Sequence, residues 1–174
     1  MDTNNNKKGR EGRDGRGGGR GGRGGMGRPA PSEYDHKILG IRRVTRVVAG
    51  GRRFSFSIAV VLGNKKGKVG LGVGKGGDIS ASIEKAVKDA KKHLITVQLT
   101  KTQSIPHEVY AKFSSSRVEI RPSPGRGMVA GSSVRMILEL LGARDVSAKI
   151  FSKSKNKLNN GRATMKALET LAVK

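Results

Sequence analysis

No cysteine occurs in this chain, which excludes disulfides, thiolate chemistry and any zinc site built on Cys ligands. No apolar run approaches the roughly 18 residues that a membrane-spanning helix requires. Acid is scarce too: 13 Asp and Glu face 36 Lys and Arg, for a formal net charge of +23. The three histidines, His36, His93 and His107, are scattered and show no metal-ligand or triad spacing. No active site, metal or cofactor is therefore expected. The first residues lack the apolar stretch of a secretory signal, and Asp2, Glu11 and Asp14 in a Gly-rich setting suit an organelle transit peptide poorly. The expected location is cytoplasmic.

What the chain has instead is positive charge, and not only in a tail. Residues 37–174 hold 28 basic residues and 8 acids, a balance of +20. A folded body with that self-repulsion calls for a polyanion, and nucleic acid is the commonest one. Stability is expected to depend partly on that partner.

Residues 1–35 read as a disordered tail. Gly9 to Gly27 is mostly Gly and Arg, with Arg-Gly-Gly units starting at Arg16, Arg20 and Arg23. Nothing apolar offsets the ordering entropy of so much Gly. Arg stacks on bases and pairs with phosphate, so an RNA-contacting arm is the functional reading, against a merely solubilising extension.

Residues 36–98 read as an RNA-binding domain. Ile38 to Val48 is a strand carrying Arg42, Arg43 and Arg46, and Gly50-Gly51 marks a turn. Phe54, Phe56, Ile58, Val60 and Leu62 alternate as the apolar face of a second strand. That face assigns Phe54 and Phe56 to core packing over base stacking. After the turn Gly63 to Gly67, Val69, Leu71 and Val73 alternate with glycines, leaving one face of a third strand bare for a close approach. A helix follows, capped by Asp78 or Ser80, with Ile79, Ile83, Val87, Ala90 and Leu94 as the buried stripe. Gly72 to Gly77 matches GxGxxG, but hairpin-connected strands argue against a dinucleotide site.

Residues 99–174 read as an α+β domain. Ile105 to Phe113, broken near Pro106, and Val118 to Arg121 are strands. A helix starts at Ser132 or Ser133 and ends at Gly142, a strand spans Val146 to Ile150, and Asn160 is the expected cap of a last helix. Arg126 precedes the first of these helices, and Lys157 and Arg162 stand at the other, where free N–H groups suit phosphate.

From Arg43 onward the chain resembles the S-five family of small-subunit ribosomal proteins in its bacterial form. The resemblance covers roughly residues 36–172 and rests on several ordered motifs. These are Gly50-Gly51-Arg52-Arg53-Phe54-Ser55-Phe56, Val69 to Lys75, Ala81 to Lys92, Ile105-Pro106-His107, Val129 to Arg135, and Arg162-Ala163-Thr164 with Ala167-Leu168. It departs from the family pattern in four places. Ala49 stands where Lys is usual, Leu71 and Val73 stand where aromatics are usual, the second turn is more basic, and Asn156-Lys157 replaces Asn-Pro.

The resemblance implies an α+β chain of two domains. The first is a three-stranded sheet plus helix, similar to a double-stranded-RNA-binding fold; the second is a sheet with two helices. It implies a structural constituent of the small ribosomal subunit, bound to rRNA and beside neighbouring proteins four and eight. It also implies a place near the messenger entry path and a part in assembly and decoding fidelity. The expected RNA-contacting residues are Arg43, Arg46, Gly50, Gly51, Arg52, Arg53, Lys65, Lys66, Lys68, Lys75, Arg126 and Arg162.

Overall fold

Among the residues described by the computed structural model, 33–171, two antiparallel sheets carry three helices. The Arg/Gly-rich segment read as a tail lies outside the described residues, apart from its last three positions. The first sheet has the order β1-β2-β3-β4, from β1 (Asp35–Val48), β2 (Gly51–Gly63), β3 (Lys68–Gly76) and β4 (Leu94–Thr96). The second has the order β5-β6-β7, from β5 (Val109–Phe113), β6 (Ser116–Pro122) and β7 (Val146–Ile150). The helices are α1 (Ile79–Lys92), α2 (Ser132–Leu141) and α3 (Lys157–Glu169). The α+β architecture is as expected. The three-residue β4, antiparallel to β3 at the sheet edge, adds a fourth strand to the expected three and takes Leu94, expected in the helical stripe, because α1 ends at Lys92.

Alternation along β2 sorts its side chains between two cores. Ile58 and Val60 face α1 with Ala86, whereas Ala59 and Val61 join a larger core with Ile137, Leu140 and Leu168. That larger core also takes in Val118, Ile120 and Val146, so α2 and α3 bury apolar surface against both sheets. Each fully buried Leu or Ile there contributes about 1.5–3 kcal/mol of transfer free energy.

The bare face of β3 is occupied by the chain's own helix. A Cβ on Gly72 would lie 2.2 Å from the Ala86 carbonyl oxygen, and one on Gly74 2.1 Å from that of Ser82. Such contact also decides which face of α1 goes inward. Ser82, Ala86 and Ala90 are buried, while Ile79 is 39% exposed and Ile83 and Val87 are half-buried. The predicted large-residue stripe is thus rotated, because only small side chains fit over a glycine track. Gly72 and Gly74 of the GxGxxG match serve this packing, on an antiparallel strand, whereas Gly77 lies past the strand with nothing near it.

Two helix starts differ from expectation. α2 is preceded by Gly131 as its cap, with Ser132 and Ser133 inside the helix. α3 starts three residues before the predicted cap: the Asn156 side chain accepts from the Leu158 amide at 3.2 Å, and Asn160 is buried within the helix. Lys157 occupies the first helical position, the place where a proline is also tolerated. Gly142 ends α2 in the left-handed region at φ 92°, as its position predicted. No helix among the described residues is long and apolar enough to cross a membrane.

Candidate nucleic-acid interface

β1 and β2 outrun the rest of their sheet. The last residue of β3, Gly76, pairs with Phe56, and α1 begins at Ile79, so β2 beyond Phe56 has only β1 beside it. Val44–Val48 and Gly51–Ser55 form a two-stranded ribbon with all residues exposed. At about 3.4 Å per residue, it reaches about 17 Å past the covered sheet. Gly51, at φ 127°, closes its tip beside Gly50 in a conformation only glycine adopts readily.

The register places Arg46 opposite Arg53 on one face of the ribbon, and Val47 opposite Arg52 with Thr45 opposite Phe54 on the other. Arg43 lies over the Phe54 ring, 4.8 Å from its centroid. Phe54 itself is 50% exposed, which corrects its assignment to the core. Phe56 is half-buried against Ile58 and Val60, so core packing holds for that residue. The ribbon and its root thus present Arg43, Arg46, Arg52 and Arg53 together with an exposed ring and exposed Val44 and Val47. Acidic residues are absent from 36–77 altogether.

Lys75 belongs to the same side of the molecule. It pairs with Ser57, which pairs with Arg42, so Arg42, Ser57 and Lys75 form one row across the sheet on the face that carries Arg46 and Arg53.

The second turn behaves differently. It lies at the opposite end of β2, and its backbone is clamped to the end of α2: the Lys65 amide donates to the Leu140 carbonyl at 2.8 Å and the Gly67 amide to that of Leu141 at 2.9 Å. The Asn64 side chain closes the turn by accepting from the Lys66 and Lys68 amides. Lys65 pairs with Asp35 at 2.7 Å, which holds the Asp35 carboxyl below its ordinary range. Lys66 is exposed and Lys68 half-buried. The predicted site residues therefore fall into separate groups, with Arg43 to Arg53 and Lys75 at one end and Lys65, Lys66 and Lys68 at the other.

Arg126 is exposed on the loop between β6 and α2, between two glycines at φ 77° and 67°. Arg162 stands in the second turn of α3. Its guanidinium lies 5.5 Å from the Phe113 ring centroid and lines a groove of about 510 Å³ that also holds Asp89 and Glu169. Two cations near the ribbon were missing from the expected set, Arg42 and Lys155; they converge with Lys157, already named as suited to phosphate, where β1 meets the start of α3. A correct placement of the α3 cap at Asn156 is the sequence signal that would have joined them.

Among the described residues no group of three or more His, Asp or Glu side chains is placed to hold a metal ion. An interface of exposed Arg, an aromatic ring and backbone turns suits recognition of phosphate and base faces.

Comparison with known proteins places the chain in a family. Residues 34–98 match the family "Ribosomal protein S5, N-terminal domain", and residues 111–173 match "Ribosomal protein S5, C-terminal domain". The chain is 50% identical over 143 residues to small ribosomal subunit protein uS5 of Mycoplasmopsis agalactiae, covering 82% of this chain and 62% of that protein. It is 48% identical to uS5 of Thermosynechococcus vestitus, covering 80% of each. It is 45% identical to uS5c of Pyropia yezoensis, covering 83% of each.

Proposed function

This chain belongs to the ribosomal protein S5 family, and from that premise we propose that it is a structural constituent of the small ribosomal subunit, on the cytoplasmic ribosome, that binds rRNA. Its role is structural rather than catalytic. The observation that carries the RNA-binding reading is the ribbon. Three arginines stand on a protruding two-stranded element and Arg43 at its root, with no acid to neutralise them, and two of them, Arg46 and Arg53, oppose each other directly. Cross-strand like charges destabilise a free ribbon, whereas phosphates on both sides turn the same residues into charge-assisted contacts.

Binding proceeds by shape and phosphate, with Gly50 and Gly51 letting the tip approach RNA closely, and Arg43, Arg46, Arg52, Arg53 and Lys75 as its cations. Lys65, Lys66 and Lys68 form a second contact, with Arg126 and Arg162 in the C-terminal domain. We divide the folded chain at 98/99 into these two functional parts. The family resemblance supports proteins four and eight as neighbours, a place near the messenger entry path, and a part in subunit assembly and decoding fidelity.

Sedimentation of a native lysate tests the reading. The protein is expected at near-stoichiometric level in small subunits after a high-salt wash, because loosely held electrostatic binders are stripped by salt. A protein found in the free fraction, or lost on washing, overturns it.

A further inference from the structure

Where the root of the ribbon meets the start of α3, a pocket of about 300 Å³ opens. Arg42, Lys155 and Lys157 line it with Ser57, and none of its lining residues is acidic. The larger groove beside Arg162, by contrast, contains Asp89 and Glu169. Ala59, Val73 and Leu158 give the pocket an apolar floor.

One residue assembles these cations. The Asn156 Oδ1 accepts from Arg42 Nη2 at 3.0 Å and from the Leu158 amide at 3.2 Å, so it caps α3 and ties it to β1. Lys155 and Lys157 flank Asn156 in sequence and are thereby brought beside Arg42. Arg42 keeps further N–H donors free of that bond. The 13-residue α3 adds the positive end of its dipole at the same place. Three like charges around one concavity cost the free protein energy, and an anion relieves that cost.

We propose that this pocket holds one unpaired nucleotide, its phosphate between Arg42, Lys155 and Lys157 and its base on the apolar floor. The proposal rests on the RNA-binding reading above and adds a site to it. An unpaired nucleotide is required because bases stacked in an A-form helix cannot lay a face on a protein surface, whereas unstacked ones can. The volume lies at the lower end of the range for small-ligand sites. The same phosphate-and-base chemistry comes from an rRNA residue or from a free mononucleotide.

Zero-length ultraviolet cross-linking of intact small subunits, with peptide sequencing, separates the sources. Peptides 38–43 and 155–158 are expected to carry one and the same rRNA nucleotide. The double substitution Lys155→Ala, Lys157→Ala is expected to lower that yield by about tenfold or more, with cross-links from the ribbon tip unchanged. Both lysines are exposed, so the variant's thermal midpoint is expected to match that of the parent. In the second arm the isolated full chain is titrated with a ribonucleoside monophosphate. Saturable binding that the double variant abolishes, without pocket cross-links in subunits, assigns the site to a free nucleotide. Tip cross-links without pocket cross-links, together with no mononucleotide binding, overturn the pocket and leave the RNA-binding reading intact. Absence of cross-links from tip and pocket alike overturns that reading, and the titration alone then decides whether the pocket is a nucleotide site.

Discussion

Arg46 of β1 stands directly opposite Arg53 of β2 on one face of the protruding ribbon, and both are exposed. Among the described residues neither takes part in an ion pair. Like charges at a cross-strand position destabilise by about 0.2–1 kcal/mol. Arg53→Thr is therefore expected to stabilise the free chain by about that amount while weakening its binding to small-subunit rRNA. The logarithmic salt slope of binding is expected to fall by about one. Thermal unfolding of the free chain and affinity measured across salt concentrations check the two halves. Unchanged affinity would remove Arg53 from the interface.

Charge reversal makes a stronger test of the same element. Arg52 and Arg53 support no buried group, so replacing both by Glu is expected to leave the fold intact, with a change of no more than about 0.5 kcal/mol at Arg52 and a gain of about 0.2–1 kcal/mol at Arg53, where Glu faces Arg46. Incorporation into small subunits, followed on a sucrose gradient, is expected to fall sharply. Normal incorporation of a folded variant would sink the ribbon as an RNA contact.

The glycine track of β3 predicts a large loss of stability on a minimal substitution. A Cβ on Gly72 would meet backbone atoms of Ala86 and Ala90 at 2.2 and 2.3 Å, which no rotamer change relieves. Gly72→Ala is expected to cost about 3 kcal/mol by forcing α1 off the sheet. Gly77→Ala is the control, since nothing lies within 4 Å of that position, and its expected change is within about 0.5 kcal/mol. Urea titration of the two variants distinguishes them. Equal midpoints would mean that α1 does not rest on the track.

Alternation and turn chemistry made much of this fold legible. Ile58, Val60 and Leu62 are buried as their period required, the Gly50-Gly51 turn and the β7 strand lie where predicted, and Gly142 ends α2. The misreadings share a cause, which is that the deciding partner is distant in sequence. Phe54 continues the alternation of Phe56 and Ile58, but α1 and β3 stop short of it, so the same pattern ends in solvent. The inward face of α1 consists of Ser82, Ala86 and Ala90 because β3 is glycine there, and hydropathy alone favours Ile79 and Ile83. Asn156 and Asn160 are equivalent cap candidates by type; the bond from Arg42, 114 residues away, accompanies the choice of the first. For the site, the arginines of the ribbon were legible as a cluster in sequence, whereas the Arg42, Lys155 and Lys157 grouping exists only once β1 and α3 are packed.

One oxygen of Asn156 both caps α3 and ties it to β1. Asn156→Asp keeps an oxygen that accepts from the Leu158 amide and strengthens its pairing with Arg42, so stability is expected to hold. Asn156→Ala removes both bonds and is expected to cost about 1–2 kcal/mol, in line with loss of a helix cap. Denaturant midpoints of the two variants check this, and equal losses would show that the oxygen is not the stabilising feature.

Glu139 supplies a pH-dependent tie between β1 and α2. Its carboxylate accepts from Lys37 of β1 and, at 3.0 Å, from Arg135 one turn earlier. Those two partners, Lys37 first, hold its pKa below the ordinary value of 4.5. A carboxyl with a lowered folded-state pKa contributes stability that is fully present above its unfolded pKa and is lost as pH falls through the folded value. Side-chain exposure of 32% for Glu139 and 47% for Lys37 keeps that contribution small through solvent screening. Glu139→Gln is accordingly expected to melt about 1–2 °C below the parent at neutral pH. The gap is expected to close as pH drops below 4.5, where the parent carboxylate becomes protonated and releases Lys37. Scanning calorimetry of both chains from neutral pH to about pH 3 reads the gap directly. A gap that stays constant across that interval would assign the loss to packing at residue 139 and not to its charge.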